Sequence, residues 1–230
     1  MILCIITAHA GAPCIGDALL SWGAIVPVFV VNGRDGVLPA FQTGLVNAHD
    51  FDILAYLHDD LLVRDPAWYK RVLNEFEDTK VGLVGFGGAL EHGSRDIYKA
   101  PYDYHQLGRS YFLSNMDDAE VHGQRCAGSC DVAVLDGFSL IFRRELLEKA
   151  GGWPVKTLGY VGYDYWACCM AHRLGYKIRF VGVRCHHLGG QTFVKLGIGQ
   201  GPEHWQQFLA AHEYIYRTFA DVLPFRCPSQ

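Results

Sequence analysis

Short apolar runs alternate with segments of helical period along the first part of the chain. Ile2 to Thr7 and Val26 to Val31 read as strands, and Ile53 to Leu57 as a third, buried one. Between them, Ile15 to Trp22 carries Ile15, Leu19, Leu20 and Trp22 at amphipathic spacing, and Val37 to Ala48 is weakly helical. Ala67 to Phe76 sets Trp68, Val72, Leu73 and Phe76 on one helix face, and Val81 to Phe86 is again an apolar strand. Strand-helix alternation of this kind predicts an α/β chain with a mostly parallel central sheet covered on both faces. Asp65-Pro66 predicts a helix start, with Asp65 as N-cap and Pro66 at the first helical position.

The rhythm breaks from Gly87 to Cys130. That stretch is rich in tyrosine, histidine and arginine and has little periodicity, which predicts a functional loop or lid; a surface excursion with a small sheet of its own is the alternative. Periodicity returns with Val132 to Leu135, a strand at Phe138 to Phe142 and a helix from Arg143 to Ala150. A helix from Tyr163 to Leu174, a strand at Lys177 to Val181 and a segment from Val183 to His187 that leads to Gly189-Gly190 follow. Gly197 to Pro202 is a flexible linker before a terminal helix, Glu203 to Phe219. The expected organisation is one domain over residues 1–200, with halves 1–90 and 91–200, then a C-terminal helix and tail over 201–230.

Half of the 230 residues are apolar and 19% are charged, so the chain buries a sizeable core. Net charge is −4 with no basic stripe, which argues against nucleic acid as a partner. The apolar start, Met1 to Thr7, has no basic region or small-residue cleavage site, and no run reaches a membrane span. The expected location is therefore the cytoplasm, with peripheral attachment at a membrane as the alternative. The eight cysteines read as reduced, buried small side chains.

Four constellations carry candidate chemistry. His58-Asp59-Asp60 ends the buried third strand, the edge where open α/β sheets bind ligands. Carboxylates there suit Mg²⁺ or Mn²⁺, and a nearby imidazole shifts preference toward Mn²⁺; a solvated acidic turn is the plainer reading. Cys185-His186-His187-Leu-Gly-Gly-Gln191-Thr192 places two histidines at another strand end before a glycine pair. Asp164, in Gly162-Tyr163-Asp164-Tyr165-Trp166, is either a helix cap or a carboxylate made basic by aromatic neighbours. Asp136, in Leu135-Asp136-Gly137-Phe138-Ser139, is an acid in an apolar setting and needs polar partners.

In this order the motifs resemble the GT-A fold glycosyltransferases, in particular the inverting family 2 group, from Ile2 to about Thr192. The resemblance implies a Rossmann-like nucleotide-diphospho-sugar transferase fold, with residues 1–90 as its nucleotide-binding half and 91–200 as its acceptor-binding half. It implies nucleotide contacts at Thr7 and Ala8 after the first strand, at Asn32 and Arg34 after the second, and at Asp59. It implies metal binding by Asp60 and by His187, with His186 beside it, and by His58, which stands where the family usually has its first acid. Asp164 lies in the segment carrying the catalytic base. Asp136, Gly137, Tyr163 and Trp166 lie on the donor and acceptor side, and Gln191, Thr192 and Lys195 in a segment that closes over the diphosphate.

The implied activity is Mn²⁺- or Mg²⁺-dependent transfer of a sugar from a nucleotide-diphosphate donor to a glycan, lipid-linked or protein hydroxyl, with inversion. A retaining transferase, a metal-dependent hydrolase or nucleotidyltransferase, and a non-catalytic sugar-nucleotide or glycan-binding relative are the alternatives. The aromatic face of the terminal helix packs on the core, on a second subunit in a homodimer, or on a membrane.

Overall fold

The computed structural model describes residues 1–93, 112–117, 123–189 and 202–227. In chain order the elements are β1 (Leu3–His9), α1 (Ile15–Trp22), β2 (Val28–Asn32), α2 (Val37–Asn47), β3 (Ile53–Leu57), β4 (Leu61–Val63) and α3 (Trp68–Glu75). Then come β5 (Val81–Gly85), β6 (Gly87–Ala89), β7 (Glu91–His92), β8 (Phe112–Ser114), β9 (Gln124–Arg125), β10 (Ser129–Asp131) and β11 (Val134–Leu135). The remainder is β12 (Ser139–Arg143), α4 (Arg144–Lys149), α5 (Tyr163–Arg173), β13 (Lys177–Val181), β14 (Cys185–His187), α6 (Pro202–Thr218) and β15 (Phe225–Arg226).

The main sheet has seven strands in the order β10-β13-β5-β12-β3-β1-β2. β1 pairs parallel with β2 and β3, and β5 pairs parallel with β13. β12 runs antiparallel to both β3 and β5, so β1, β2, β3, β5 and β13 all share one direction, and β12 and β10 oppose it. The apolar run Ile53 to Leu57 becomes the centre of this sheet because both its faces are covered; every residue of β3 is fully buried. β2 forms an edge, and its Val30 is exposed.

Two arginines lock β12 between its neighbours. The Arg143 guanidinium donates to the carbonyls of Phe76 (2.7 Å) and Val81 (3.1 Å) on one side. Arg144 donates to Phe51 O (2.6 Å), Ala48 O and Leu45 O (3.4 Å) on the other, bracing the last turn of α2 and the loop that follows it. Residues from both expected halves thus interleave in one sheet.

The stretch after Gly87 contributes to a small sheet, the alternative to a covering loop. β6, β8, β9 and β11 form a second, four-stranded sheet in the order β11-β6-β8-β9. Residues 94–111 and 118–122 of the expected covering loop lie outside the described residues. One local expectation is corrected. The third helix begins at Trp68, with Ala67 as its cap residue and no side-chain cap. Asp65 accepts from Ala67 N–H at 2.9 Å, so it closes the turn that precedes the helix.

The terminal helix packs on the chain's own core: Ala211, His212 and Ile215 are buried, as is Phe219 just after it, and Ile215 Cδ1 lies 3.0 Å from where a Cβ on Gly162 would be. β15 then pairs with β7. No helix among the described residues is long and apolar enough to cross a membrane.

Candidate functional site

Strand direction gathers the chemistry. β1, β2 and β3 end at His9, Asn32 and Leu57 on one edge, and β12, running the other way, begins at that edge just after Asp136-Gly137-Phe138. His58 N–H donates to Phe138 O at 3.0 Å, and Leu61 N–H donates back to His58 O at 3.2 Å. The chain therefore makes a tight turn with Asp59 and Asp60 at its corner, both buried. β4 leaves that turn and pairs antiparallel with β14, setting His187 opposite Leu61 and His186 opposite Leu62. Alternation along β14 sends the two histidines to opposite faces, and the pairing brings His187 to the turn.

His58, Asp60 and His187 form a group whose ligand atoms all lie within 4.8 Å of one another. Asp60 Oδ1 is 3.2 Å from His187 Nε2 and 3.9 Å from His58 Nδ1, and those two nitrogens are 3.3 Å apart. Asp60 Oδ1 is nevertheless buried without a well-aligned hydrogen bond. A buried carboxylate oxygen left with a free lone pair between two imidazole nitrogens fits a divalent cation. Phe138 stacks on His187 at 4.9 Å between ring centroids and fixes its plane. Burial, then the neighbouring His187, lowers the His58 pKa to about 4, so its imidazole is neutral at pH 7 and able to ligate. Burial pushes Asp60 upward, but His187 and then His58 outweigh it and hold its carboxyl below the usual value.

His9, at the end of β1, belongs to the site although the sequence reading passed over it. Its Nδ1–H donates to Asp59 Oδ2 at 2.8 Å. Burial raises the Asp59 pKa, and this bond works against the rise. The available signal was positional: a histidine ends β1 just as one follows β3. Of the other expected nucleotide contacts, Thr7 is fully buried inside the sheet, so His9 and not Thr7 is the β1 residue that reaches the acidic turn. Ala8 is half-buried. Asn32 and Arg34 are exposed beyond β2, where Asn32 Oδ1 accepts from Arg34 N–H at 3.0 Å.

Across the turn stands the start of α5. Gly162 caps it in a left-handed conformation (φ 77°), with no side-chain cap, so Asp164 lies in the first helical turn and is not the cap. Asp164 Oδ1 accepts from Tyr165 N–H at 2.9 Å, and Gly137 N–H also faces the carboxylate. Burial, then the charge of Asp136, lifts the Asp164 pKa to about 7, in spite of these backbone donors. Asp136 Oδ1 accepts from Phe138 N–H at 3.3 Å. Tyr163 is buried, with Oη 2.8 Å from His58 Nε2 and 3.4 Å from Gly137 O. Trp166 packs in the core, 5.8 Å from Trp153 between ring centroids, and presents almost no surface to a ligand. Gln191, Thr192 and Lys195 lie outside the described residues.

Beside the start of α5, a groove of ≈ 370 Å³ runs between the 157–161 loop and α6. Tyr160 and Gln207 face each other on it, Tyr160 Oη donating to Gln207 Oε1 at 2.7 Å.

The sequence profile of a glycosyltransferase-like family matches residues 21–187. No curated protein matches by sequence. Solved structures share the fold. GalNAc-T7 with UDP, GalNAc and Mn²⁺ aligns at TM-score 0.55 and 17% identity, over 96% of this chain and 43% of that one. A Drosophila β1,4-galactosyltransferase 7 variant with manganese, UDP-Gal and xylobiose gives 0.53 and 13%, over 90% and 78%. The mannosyltransferase PcManGT from Pyrobaculum calidifontis, in complex with GDP-Man and Mn²⁺, gives 0.50 and 16%, over 94% and 69%. These are GT-A glycosyltransferases, and the mixed sheet described above is the GT-A fold.

Proposed function

The chain belongs to the glycosyltransferase-like family, and from that premise we propose that it transfers a sugar from a nucleotide-diphosphate donor to an acceptor hydroxyl, with inversion and with a divalent cation. The observation that carries this reading is the pairing of a His58–Asp60–His187 cluster with a near-neutral carboxylate, Asp164, at one sheet edge. His58, Asp60 and His187 would hold such a cation, which would supply positive charge against the leaving diphosphate. Two imidazoles beside one carboxylate favour Mn²⁺ over Mg²⁺.

The remaining work falls to side chains. Asp59, oriented by His9, accepts hydrogen bonds from the donor's ribose, with Asn32 and Arg34 beside the base. Asp164 takes the proton as the acceptor oxygen bonds to the anomeric carbon and the bond to the diphosphate breaks on the opposite face. The Tyr160–Gln207 groove suits a glycan acceptor: it offers an aromatic face, an amide and the Thr157 hydroxyl.

A thermal-shift screen of UDP- and GDP-sugars with and without Mn²⁺ tests the reading, followed by NMR of the product's anomeric configuration. Stabilisation by a nucleotide sugar only with Mn²⁺, and an inverted product, are expected. Activity undiminished by EDTA would remove the role of the cluster, and a retained configuration would remove that of Asp164. Donor turnover with no acceptor requirement would point to a hydrolase.

A further inference from the structure

Histidine offers a metal only one ring nitrogen at a time, and the other must hold the proton. In His58 the division is set by what each nitrogen faces. Nδ1 looks into the Asp60–His187 cluster, 3.9 Å from Asp60 Oδ1 and 3.3 Å from His187 Nε2. Nε2 looks away from it, 2.8 Å from Tyr163 Oη. The phenol is fixed on all sides. Phe41 meets its ring edge-on at 5.9 Å, Trp153 does so at 6.3 Å, and Gly137 makes room for the hydroxyl: a Cβ there would lie 2.6 Å from Oη. The same oxygen lies 3.4 Å from Gly137 O, an acceptor for its proton.

We propose that Tyr163 is a positioning residue for the metal site: its oxygen accepts from His58 Nε2–H while its own proton points to Gly137 O, which leaves the His58 Nδ1 lone pair facing the cation. This rests on the reading of His58 as a ligand and adds to it a tautomer and the group that selects it. Tyr163 also opens α5, and the next residue is Asp164. One hydrogen bond thus joins His58 to the helix turn that carries the proposed base. A hydrophobic residue of equal shape would fill the pocket but could not choose between the two imidazole tautomers.

The test is Tyr163→Phe, which removes only the hydroxyl, with Gly137→Ala as a second variant that displaces Oη while keeping it. Long-range ¹H–¹⁵N NMR on histidine-labelled, metal-free protein reads the His58 tautomer, and calorimetry with Mn²⁺ alone reads affinity. The expected result is Nε2–H in the wild type, a tautomer mixture in both variants, and Mn²⁺ affinity weaker by roughly 10–100-fold. Wild-type His58 protonated on Nδ1, or a Tyr163→Phe protein with unchanged tautomer and Mn²⁺ affinity within twofold, would overturn the proposal. Failure of the wild type itself to bind Mn²⁺ would instead overturn the metal reading beneath it.

Discussion

Replacing Asp164 with asparagine separates stability from catalysis in opposite directions. The carboxyl pKa rises from 3.8 to about 7 on folding, chiefly through burial. The folded state thus binds more protons than the unfolded one between those values, so ionisation costs stability as pH rises through that window. Three pKa units correspond to about 4 kcal/mol, and solvent access to a half-buried group trims this to about 2–4 kcal/mol. Asparagine carries no such cost, and its amide oxygen still accepts from Tyr165 N–H. Metal-free Asp164→Asn should therefore melt above the wild type by roughly 5–15 °C at pH 9, with the gap shrinking toward pH 4. The transferase rate should fall by about 10²–10⁴ with loss of the base. In the wild type, kcat/KM should rise with pH to a midpoint near or below 7, because the base works ionised and a bound cation pulls its pKa down. A melting difference that does not change with pH would refute the burial argument, and an asparagine variant retaining near-full rate would refute the base.

Asp60→Ala should abolish Mn²⁺ binding measured by calorimetry, since it removes the one carboxylate of the cluster; binding within threefold of the wild type would exclude the site. His9→Ala frees Asp59 Oδ2 from its partner and should raise the donor KM while leaving the acceptor KM unchanged, which steady-state kinetics with each substrate varied will show. Arg144→Ala removes the donor of the Phe51 carbonyl and one of the two donors of the Ala48 carbonyl and should cost about 1–3 kcal/mol in urea denaturation, with no change in Mn²⁺ affinity.

Legibility followed burial and length. The boundaries of α1 and β3 are those the apolar pattern predicts, because each is a single amphipathic or fully buried unit. The direction of β12 was not legible: Ser139 to Phe142 is buried throughout, and such a run reads the same whichever way it points. A small sheet after Gly87 was legible only as the alternative to a loop, and its strands could not be placed because they are two or three residues long and Gly87 and Gly88 sit in one of them. In the site, chemistry-bearing residues were visible but their assembly was not. His58 reads as a candidate ligand standing where sequence order expects an acid; only geometry joins it to Asp60 and His187, through a β4–β14 pairing between residues far apart in the chain. His9, an isolated histidine, gave no motif at all; only strand register places it on Asp59.

The insertion of β12 between β3 and β5 sets a condition on biosynthesis. A ribosome releases the strand that leads into His58 long before it makes Ser139 to Arg143, the segment that pairs with that strand's open edge. At about 5–20 residues per second the wait is several seconds. For that time an apolar edge, Ile53 to Leu57, stands without its partner and is open to pairing with other nascent chains. Fragments ending before residue 139 should accordingly aggregate rather than fold. Slow codons between the two strands would lower the yield of soluble protein without altering a single residue of the finished enzyme.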